Sequence, residues 1–243
     1  MFSHGVMGRH MTSEYYVGWD VGAWNCDRGR SQDAIVILDS KLNVAGKAWR
    51  GNLRVDINSA TSTDDWVKTL FQRCGTPMPD ATAEITMAID TPLGFSTEFV
   101  DLITSGKYAA KLENHKTNPY LFRYTERYLF QNGSTPLSAV THMIGSQATK
   151  GMHVLAKFAP TIESCGVWSN GTGFHAIEAY PSACRNSVQI RNMQNGFISL
   201  GNDDLDDARI CALVAYLFAT NRNSLVQPPK DVPKKEGWIW VPK

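Results

Sequence analysis

The sequence has few of the features that mark secreted, fibrous or membrane-spanning proteins. It contains five cysteines, an odd number with no Cys-x-x-Cys pair, which argues against a disulfide framework and against a structural zinc site. Its 19 glycines and 11 prolines are too few for a fibrous repeat. No apolar run approaches the roughly 18 residues of a membrane span, and residues 1–12 lack the apolar core of a signal peptide. We therefore expect a cytoplasmic protein without a membrane partner, with a flexible leader at 1–12 and a single domain at 13–243.

A strong net charge is also missing, but the charges are unevenly distributed. The chain has 24 basic and 23 acidic side chains. Residues 106–158 contain seven basic but only two acidic side chains, whereas four aspartates fall between positions 203 and 207. The seven basic residues are Lys107, Lys111, Lys116, Arg123, Arg127, Lys150 and Lys157. A basic segment together with an acidic cluster suits a metal-using enzyme with a polyanionic substrate. The alternative is that both sets lie on solvated helix faces.

The order of hydrophobic segments predicts an α/β fold. Three segments rich in Val, Ile, Tyr and Trp, at 15–20, 33–39 and 45–55, are separated by a loop and a turn and so predict an antiparallel meander. A helix capped at Ser62 and an apolar strand at 84–90 follow.

The second half of the chain is mainly helical in pattern. The predicted elements are helices at 96–106, 121–131 and 138–158, a strand at 173–180 and a buried helix at 203–221 capped by Asn202. Residues 105–165 form a helical elaboration of the domain. The tail at 228–243 carries an apolar patch, 238–241, that must dock on this chain or on a partner.

Two aspartates end predicted strands, although aspartate is a poor strand former. Asp20 lies in Gly-Trp-Asp-Val-Gly at the end of the first strand, and Asp90 lies in Ala-Ile-Asp-Thr-Pro-Leu-Gly at the end of the fourth. Strands joined by a crossover helix can lie side by side, and their carboxyl ends then form the ligand-binding edge of the sheet. Two carboxylates at that edge repel each other unless they are protonated or bridged by a cation.

Three further acids add to this pair. The string Asp-Asp-Leu-Asp-Asp at 203–207 puts four acids in five positions, which is more than helix capping needs. Asp204 and Asp207 share one helix face, but the helix is apolar on every side, so its periodicity does not choose between that pair and Asp203 with Asp207. Glu178 interrupts an otherwise apolar strand, where it is either a catalytic group or a salt-bridged structural residue.

In their order along the chain, five strings resemble an uncharacterised family of predicted nucleases with an RNase H-like fold, distantly similar to Holliday-junction resolvases. The strings are Gly-Trp-Asp-Val-Gly, Ala-Ile-Asp-Thr-Pro-Leu-Gly, Ile-Glu-Ala-Tyr-Pro, Asp-Asp-Leu-Asp-Asp-Ala and Glu-Gly-Trp-Ile-Trp-Val-Pro, and they lie within residues 15–242. The resemblance implies an RNase H-like, mixed five-stranded sheet of order 3-2-1-4-5 with helices on both faces. The helical elaboration would lie between strands 4 and 5.

The resemblance also implies the composition of an active site. Carried onto this sequence, the metal-binding and catalytic acids are Asp20, Asp90, Asp204 and Asp207, with Glu178 as a further catalytic candidate. Arg123 and Glu126 match a family-like Arg-x-x-Glu element. Asn202 stands where the family often has a histidine, which argues against a histidine-assisted step.

Oxygen ligands without a cysteine or histidine cluster suit Mg²⁺ or Mn²⁺ rather than zinc. We therefore expect a divalent-metal-dependent nuclease that hydrolyses the phosphodiester bonds of a nucleic acid, DNA or RNA. Arg123, Arg127 and Lys150 are predicted to hold phosphates of the substrate. Trp24, with Trp19 and Tyr180 as alternatives, is predicted to stack on an unpaired base.

Two other functions stay open on the sequence. The string Asp-Val-Gly at 20–22 also resembles the first phosphate loop of actin-like ATPases and sugar kinases, which would make the chain an ATP-dependent phosphotransferase. That class needs a second Asp-x-Gly loop after another three-stranded meander. The other Asp-x-Gly string of this sequence, at 27–29, lies directly after the first and follows no second meander. The other alternative is a non-catalytic module that binds nucleic acid or protein, but such a module would have lost the acids that this sequence retains.

Overall fold

The computed structural model describes residues 13–27 and 31–243, so the expected leader at 1–12 lies outside the described residues. Within this part, the strands are β1 (Glu14–Asp20), β2 (Asp33–Asp39), β3 (Trp49–Gly51), β4 (Glu84–Asp90), β5 (Thr161–Ser164), β6 (Val167–Ser169), β7 (Phe174–Ala179) and β8 (Ile239–Trp240). The α-helices are α1 (Arg54–Ser59), α2 (Thr63–Arg73), α3 (Thr97–Ser105), α4 (Tyr124–Gln131), α5 (Gly145–Phe158), α6 (Pro181–Cys184), α7 (Val188–Met193) and α8 (Asp203–Asn221). The predicted α/β class is confirmed.

All of these strands belong to one mixed, open sheet. Its order is β3-β2-β1-β4-β7-β6-β5, and β8 pairs with β7 beside this path. The predicted meander is confirmed, since β2 runs antiparallel to both β1 and β3. In contrast, β1, β4 and β7 are parallel neighbours, as expected of strands that are joined by helical crossovers.

The prediction of five strands is wrong, because the described sheet has eight. The predicted order 3-2-1-4-5 is present as β3-β2-β1-β4-β7, and the additional strands cover the free edge of β7. β6 pairs antiparallel with residues 175–177 of β7. β8 pairs parallel with the end of β7, where Glu178 is the register partner of Ile239. The additional strands β5, β6 and β8 are four, three and two residues long, too short to produce a readable alternation of polar and apolar residues.

Helices cover both faces of the sheet, because side chains alternate along each strand. Tyr16 and Val36 belong to the apolar core that contains α8. Val17 and Ile37 belong to a second core on the opposite face, which contains residues of α2 and α5. The helical layers expected on both faces are therefore present.

The buried helix α8 begins where the sequence predicts. The Asn202 side chain accepts hydrogen bonds from the backbone N–H groups of Asp204 and Leu205, which caps the helix. A methyl group at Gly18 would lie 1.8 Å from the carbonyl oxygen of Ala208, so glycine at this position lets α8 lie directly on β1. Among the described residues, no helix has both the length and the apolarity needed to cross a bilayer.

Some predicted boundaries need correction. The strand expected at 45–55 spans only Trp49–Gly51, because α1 follows at Arg54 and the Asn52 side chain accepts a hydrogen bond from the Arg54 N–H at 2.8 Å. In the helical elaboration, α4 and α5 begin at Tyr124 and Gly145 rather than at 121 and 138. Ser138 instead stabilises a turn, in which its hydroxyl donates to the carbonyl oxygen of Leu121.

The apolar patch of the tail docks on this chain. Trp238 and Trp240 are both buried. The Trp238 indole donates to the Val226 carbonyl oxygen at 2.9 Å, and the Trp240 indole donates to that of Gly166 at 2.8 Å. Because these contacts cover the patch, the tail closes one end of the sheet instead of offering an apolar surface to a partner.

Candidate active site

Asp20 and Asp90 end two adjacent parallel strands and are direct neighbours in the β1–β4 register. Asp20 lies two residues after Gly18, and Asp90 lies two residues after Ala88. Gly18 and Ala88 both face α8. The Asp20 and Asp90 side chains therefore lie on the α8 side of the sheet, at its carboxyl edge. This edge is the usual ligand-binding position in sheets with parallel strands.

Both carboxyl groups are partly buried and lack hydrogen-bond donors. Within residues 13–27 and 31–243, no side chain or backbone N–H donates to either of them. Burial, together with the neighbouring Asp90, Asp204 and Asp207 carboxylates, raises the pKa of Asp20 from 3.8 to about 9. Burial, then Asp207 and Glu178, raises the pKa of Asp90 from 3.8 to about 8, although Arg185 opposes this shift. Two crowded acids without donors form an environment that favours a bound proton or a cation.

The acids of α8 lie over this pair. Asp204 accepts from Arg50 at 2.7 Å, and Asp207 accepts from Arg185 at 2.6 Å. Burial raises the pKa of Asp207, and Arg185 opposes the shift. Asp203 is exposed, whereas Asp204 acts electrostatically on Asp20. The structure thus brings Asp204 and Asp207, rather than Asp203, to the strand acids.

The positions of the four aspartates determine whether they can act together as ligands of a metal ion. In the part of the chain that the structure describes, no group of three or more His, Cys, Asp or Glu side chains is arranged to do so. Two of the four carboxylates, Asp204 and Asp207, form ion pairs with Arg50 and Arg185. In kind, the donor set fits Mg²⁺ or Mn²⁺, since Asp20 and Asp90 offer hard oxygen atoms that no donor in the described chain occupies.

Glu178 and Arg123 belong to a buried network beside the site. Their side chains are 2% and 3% exposed, and they form a bidentate ion pair with N–O distances of 2.6 and 2.8 Å. The remaining N–H groups of Arg123 donate to Glu126 and to the carbonyl oxygen of Glu236. Because every donor of Arg123 is used and buried, the structure does not present this residue to a substrate.

The same network fixes the loop that follows Asp90. Glu178 accepts a hydrogen bond from the Leu93 backbone N–H at 3.0 Å, and it lies close enough to Asp90 to raise the pKa of that acid. The catalytic candidate Glu178 is therefore adjacent to the strand acids, but both of its oxygen atoms are bonded within the protein.

Lys150 occupies a second buried ion pair. Neither Lys150 nor Asp33 has exposed surface, and the Lys150 ammonium also donates to the carbonyl oxygens of Gly22 and Ala23 at 3.3 Å. Asp33 accepts from the Trp19 indole at 3.0 Å and from the Gly22 N–H at 2.9 Å. Lys150 thus stabilises the loop after Asp20 and, in this structure, does not reach solvent.

The other two predicted substrate-binding residues, Trp24 and Arg127, contact other parts of the described chain. Trp24 is partly buried against α5, where its indole donates to the Thr149 hydroxyl at 3.2 Å. Arg127 stacks over the Tyr124 ring at 5.8 Å and lines a separate hollow of about 630 Å³ with residues of 97–119. The structure therefore does not bring either residue into the cleft that contains Asp20 and Asp90.

Sequence reasoning missed the two arginines that face the α8 acids. Arg50 is the register partner of Ala34, which is itself the partner of Asp20, so the three residues lie in one row across the sheet. That row follows from the meander once its register is known, and the register was the missing signal. Arg185 follows the short helix α6, and nothing in its surrounding sequence marks it.

The acids open onto a cleft of about 410 Å³. It is bounded by the carboxyl ends of β1, β4 and β7 and by residues 135–147 of the helical elaboration. Hard oxygen ligands, nearby arginines and an adjacent cleft are a combination that can bind a cation and an anionic substrate together. Comparison of the chain with protein-family models, curated proteins and solved structures gives no match.

Proposed function

We propose that this protein is a divalent-metal-dependent nuclease that hydrolyses phosphodiester bonds of DNA or RNA. The observation that carries the proposal is the pairing of Asp20 with Asp90 at the carboxyl edge of the sheet, where both are partly buried and receive no hydrogen bond from the described part of the chain. A fold gains no stability from such a pair, because each acid raises the free energy of the other in its ionised form. A cation-binding role explains why both are present.

The topology supports an RNase H-like fold. The central strands combine an antiparallel meander, β1 to β3, with parallel neighbours β4 and β7 in the order that the family resemblance implies. The last long helix, α8, packs on β1 and brings its acidic first turn to the ends of β1 and β4. Acids from a first strand, a fourth strand and a final helix are the set expected of a resolvase-like active site.

Asp20 and Asp90 would hold the metal together with Asp204 or Asp207. The chemistry that Mg²⁺ or Mn²⁺ supplies when bound is Lewis acidity toward phosphate oxygens and activation of water. Arg50 and Arg185 have 26% and 48% of their side chains exposed and lie beside the same acids. In the proposed reaction these guanidinium groups hold phosphate oxygens that flank the scissile bond, a geometry to which arginine is suited.

The remaining groups orient the site. The Glu178–Arg123 pair holds the loop after Asp90, and the Lys150–Asp33 pair holds the loop after Asp20. Fixed loops keep the two carboxylates in one geometry, which limits the reorganisation that a reaction would otherwise require. These residues therefore act in the proposal as positioning residues rather than as groups that contact the substrate.

The test is a nuclease assay with Mg²⁺ or Mn²⁺ on single-stranded, duplex, hybrid and branched substrates. We expect cleavage by the wild type and a loss of about a hundredfold or more in Asp20→Asn and Asp90→Asn, since even the loss of an outer-shell partner of a metal ligand costs about 10–100-fold. Asp203→Asn is the matched control, because Asp203 is an exposed acid on the first turn of α8. Cleavage that survives both strand substitutions would remove the site assignment.

A further inference from the structure

The cleft beside the acids has a composition that the metal site alone does not explain. Its lining combines the acids Asp20 and Asp90 with polar and apolar side chains. The apolar lining residues include Pro92, Pro136, Leu137, Ile144 and Tyr180. A cleft of about 410 Å³ lies within the size range of sites that enclose a small molecule, roughly 300–1,000 Å³. It is far too small to admit a base pair together with its stacked neighbours.

Two polar side chains in this cleft lack partners. The Thr91 hydroxyl is buried, since the residue is only 5% exposed, and no group in the described chain forms a hydrogen bond with it. The side-chain oxygen of Gln147 is also buried and has no partner among the residues that the structure describes. A buried polar atom without a partner costs about 1–3 kcal/mol, and such atoms in a binding cleft indicate groups that a ligand satisfies. An amide and a hydroxyl suit the ring nitrogens and exocyclic groups of a nucleobase.

The amino terminus of α5 borders the same cleft. Ile144 and Gln147 both line it, and they flank the first turn of this 14-residue helix. Within residues 13–27 and 31–243, no side chain caps the helix, and the N–H groups of Gly145, Ser146 and Gln147 have no acceptor. Free N–H groups and the helix dipole favour a negatively charged group such as phosphate. The cleft therefore combines apolar lining residues, the two polar groups of Thr91 and Gln147, and a helix terminus that can bind an anion.

From these features we infer that the cleft binds one nucleotide with its base unpaired, so that the substrates of this site are single strands, strand ends or free nucleotides rather than continuous duplex. The inference rests on the proposed nuclease function for the identity of the ligand. In this arrangement the base lies against Leu137, Ile144 and Tyr180, and Gln147 and Thr91 hydrogen-bond to its edge. The phosphate lies between the first turn of α5 and the acids that hold the cation.

Binding of nucleoside monophosphates tests the inference without turnover. Calorimetry in EDTA-containing buffer measures their affinity for the wild type, Gln147→Leu and Thr91→Val, two substitutions that keep the side-chain shape and remove the polar group. We expect each to weaken binding about tenfold, the size of one hydrogen bond to a ligand. Gln72→Leu is the matched control, since Gln72 is exposed on α2 and lies outside the cleft. This variant should bind nucleoside monophosphates with the affinity of the wild type.

A second arm separates polymer from free nucleotide. A short single strand and the same sequence as a blunt duplex are compared in binding without metal and in cleavage with Mn²⁺. Tighter binding and faster cleavage of the single strand, reduced in Gln147→Leu, support the polymer as ligand. Binding of monophosphates but not of single strands assigns the cleft to free nucleotides, which also supports the inference.

The outcomes distinguish this inference from the proposed function. Equal affinities of wild type and both variants, or a preference for intact duplex, overturn the unpaired-base cleft even if the protein is an active nuclease. Binding of monophosphates that depends on Gln147, without cleavage of any polymer, supports the cleft and overturns the nuclease proposal. Because Gln147 is only partly buried, its variant keeps the test valid if Thr91→Val does not fold.

Discussion

Lys150 and Asp33 form an ion pair in which neither side chain has any exposed surface. Lys150 lies on α5 and Asp33 lies at the start of β2, 117 residues apart in the chain. The pair therefore connects the helical elaboration to the sheet. Asp33 also accepts from the Trp19 indole and from the backbone N–H groups of Gly22 and Leu53. The carboxylate is thus the centre of a network that holds both chain segments around the loop after β1.

This relationship predicts the effect of removing one partner. Lys150→Met keeps the length of the side chain but leaves the Asp33 carboxylate buried without its cation, and burial already raises the pKa of that acid. We expect the free energy of unfolding to fall by about 3–5 kcal/mol. Urea denaturation followed by circular dichroism measures it. The control is Lys107→Met, an exposed lysine paired with Asp101, which should change stability by less than about 1 kcal/mol. A comparably small change in Lys150→Met would contradict the network.

The acids at the carboxyl edge predict how stability depends on pH. The pKa values of Asp20 and Asp90 are raised to about 9 and about 8, so the folded protein retains protons that the unfolded chain releases above pH 3.8. The ionised acids therefore destabilise the folded state, and this penalty is absent at low pH and grows as the pH rises from about 4 to about 9. Asn at either position removes an ionisable group and should flatten this dependence.

Thermal denaturation of the wild type, Asp20→Asn and Asp90→Asn from pH 5 to pH 9 tests this prediction. At pH 8 both variants should melt at a higher temperature than the wild type, and the difference should shrink toward pH 5. Asp203→Asn, on the exposed side of α8, should follow the wild type at every pH. Variants that are less stable than the wild type at pH 8 would show that the two acids contribute favourable interactions in the folded state.

A cation-binding role adds a second prediction for the same variants. A ligand that binds only the folded state stabilises it, by about 2.7 kcal/mol when its concentration is a hundred times Kd. At pH 8, Mn²⁺ or Mg²⁺ should therefore raise the melting temperature of the wild type, and EDTA should reverse the effect. The shift should be absent in Asp20→Asn and Asp90→Asn. An equal shift in wild type and variants would place the bound cation elsewhere on the protein.

How far the sequence predicted the fold depended on the length of each element. β1, β2 and β4 and the helices α2, α3 and α8 follow from alternation, caps and turn residues that extend over seven or more positions. The pairing β5–β6 and the strand β8 did not, because their place depends on the free edge of β7 rather than on their own sequence. Tertiary pairing of such short segments is not encoded locally.

The site shows the same division. The convergence of Asp20 and Asp90 follows from strand order, since the carboxyl ends of parallel neighbours share an edge. The sequence predicts Arg123 and Lys150 as phosphate-binding residues, because charge along the chain does not reveal burial. In the structure each forms an ion pair with an acid that is distant in sequence. Arg123 pairs with Glu178, 55 residues away, and Lys150 pairs with Asp33, 117 residues away. Arg50 and Arg185, which do lie beside the acids, carried no local signal.

The close approach of α8 to β1 predicts that Gly18 is needed for both fold and site. In Gly18→Ala the added methyl group would lie 1.8 Å from the Ala208 carbonyl oxygen and 2.5 Å from the Ala212 nitrogen, so the helix must shift outward. Overpacking of this kind costs about 1–3 kcal/mol of stability. Because the shift separates Asp204 and Asp207 from the strand acids, it should also weaken the stabilisation by Mn²⁺.

Denaturation with and without Mn²⁺ measures both effects in one series. The control is Gly145→Ala, where an added methyl group has no atom nearer than the Ala139 carbonyl oxygen at 3.7 Å and the backbone is helical. It should leave stability within about 0.5 kcal/mol of the wild type or raise it. If Gly18→Ala retains full stability and an unchanged Mn²⁺ effect, α8 does not depend on this contact, and the acids of its first turn are not held against the sheet in the way that the proposed active site requires.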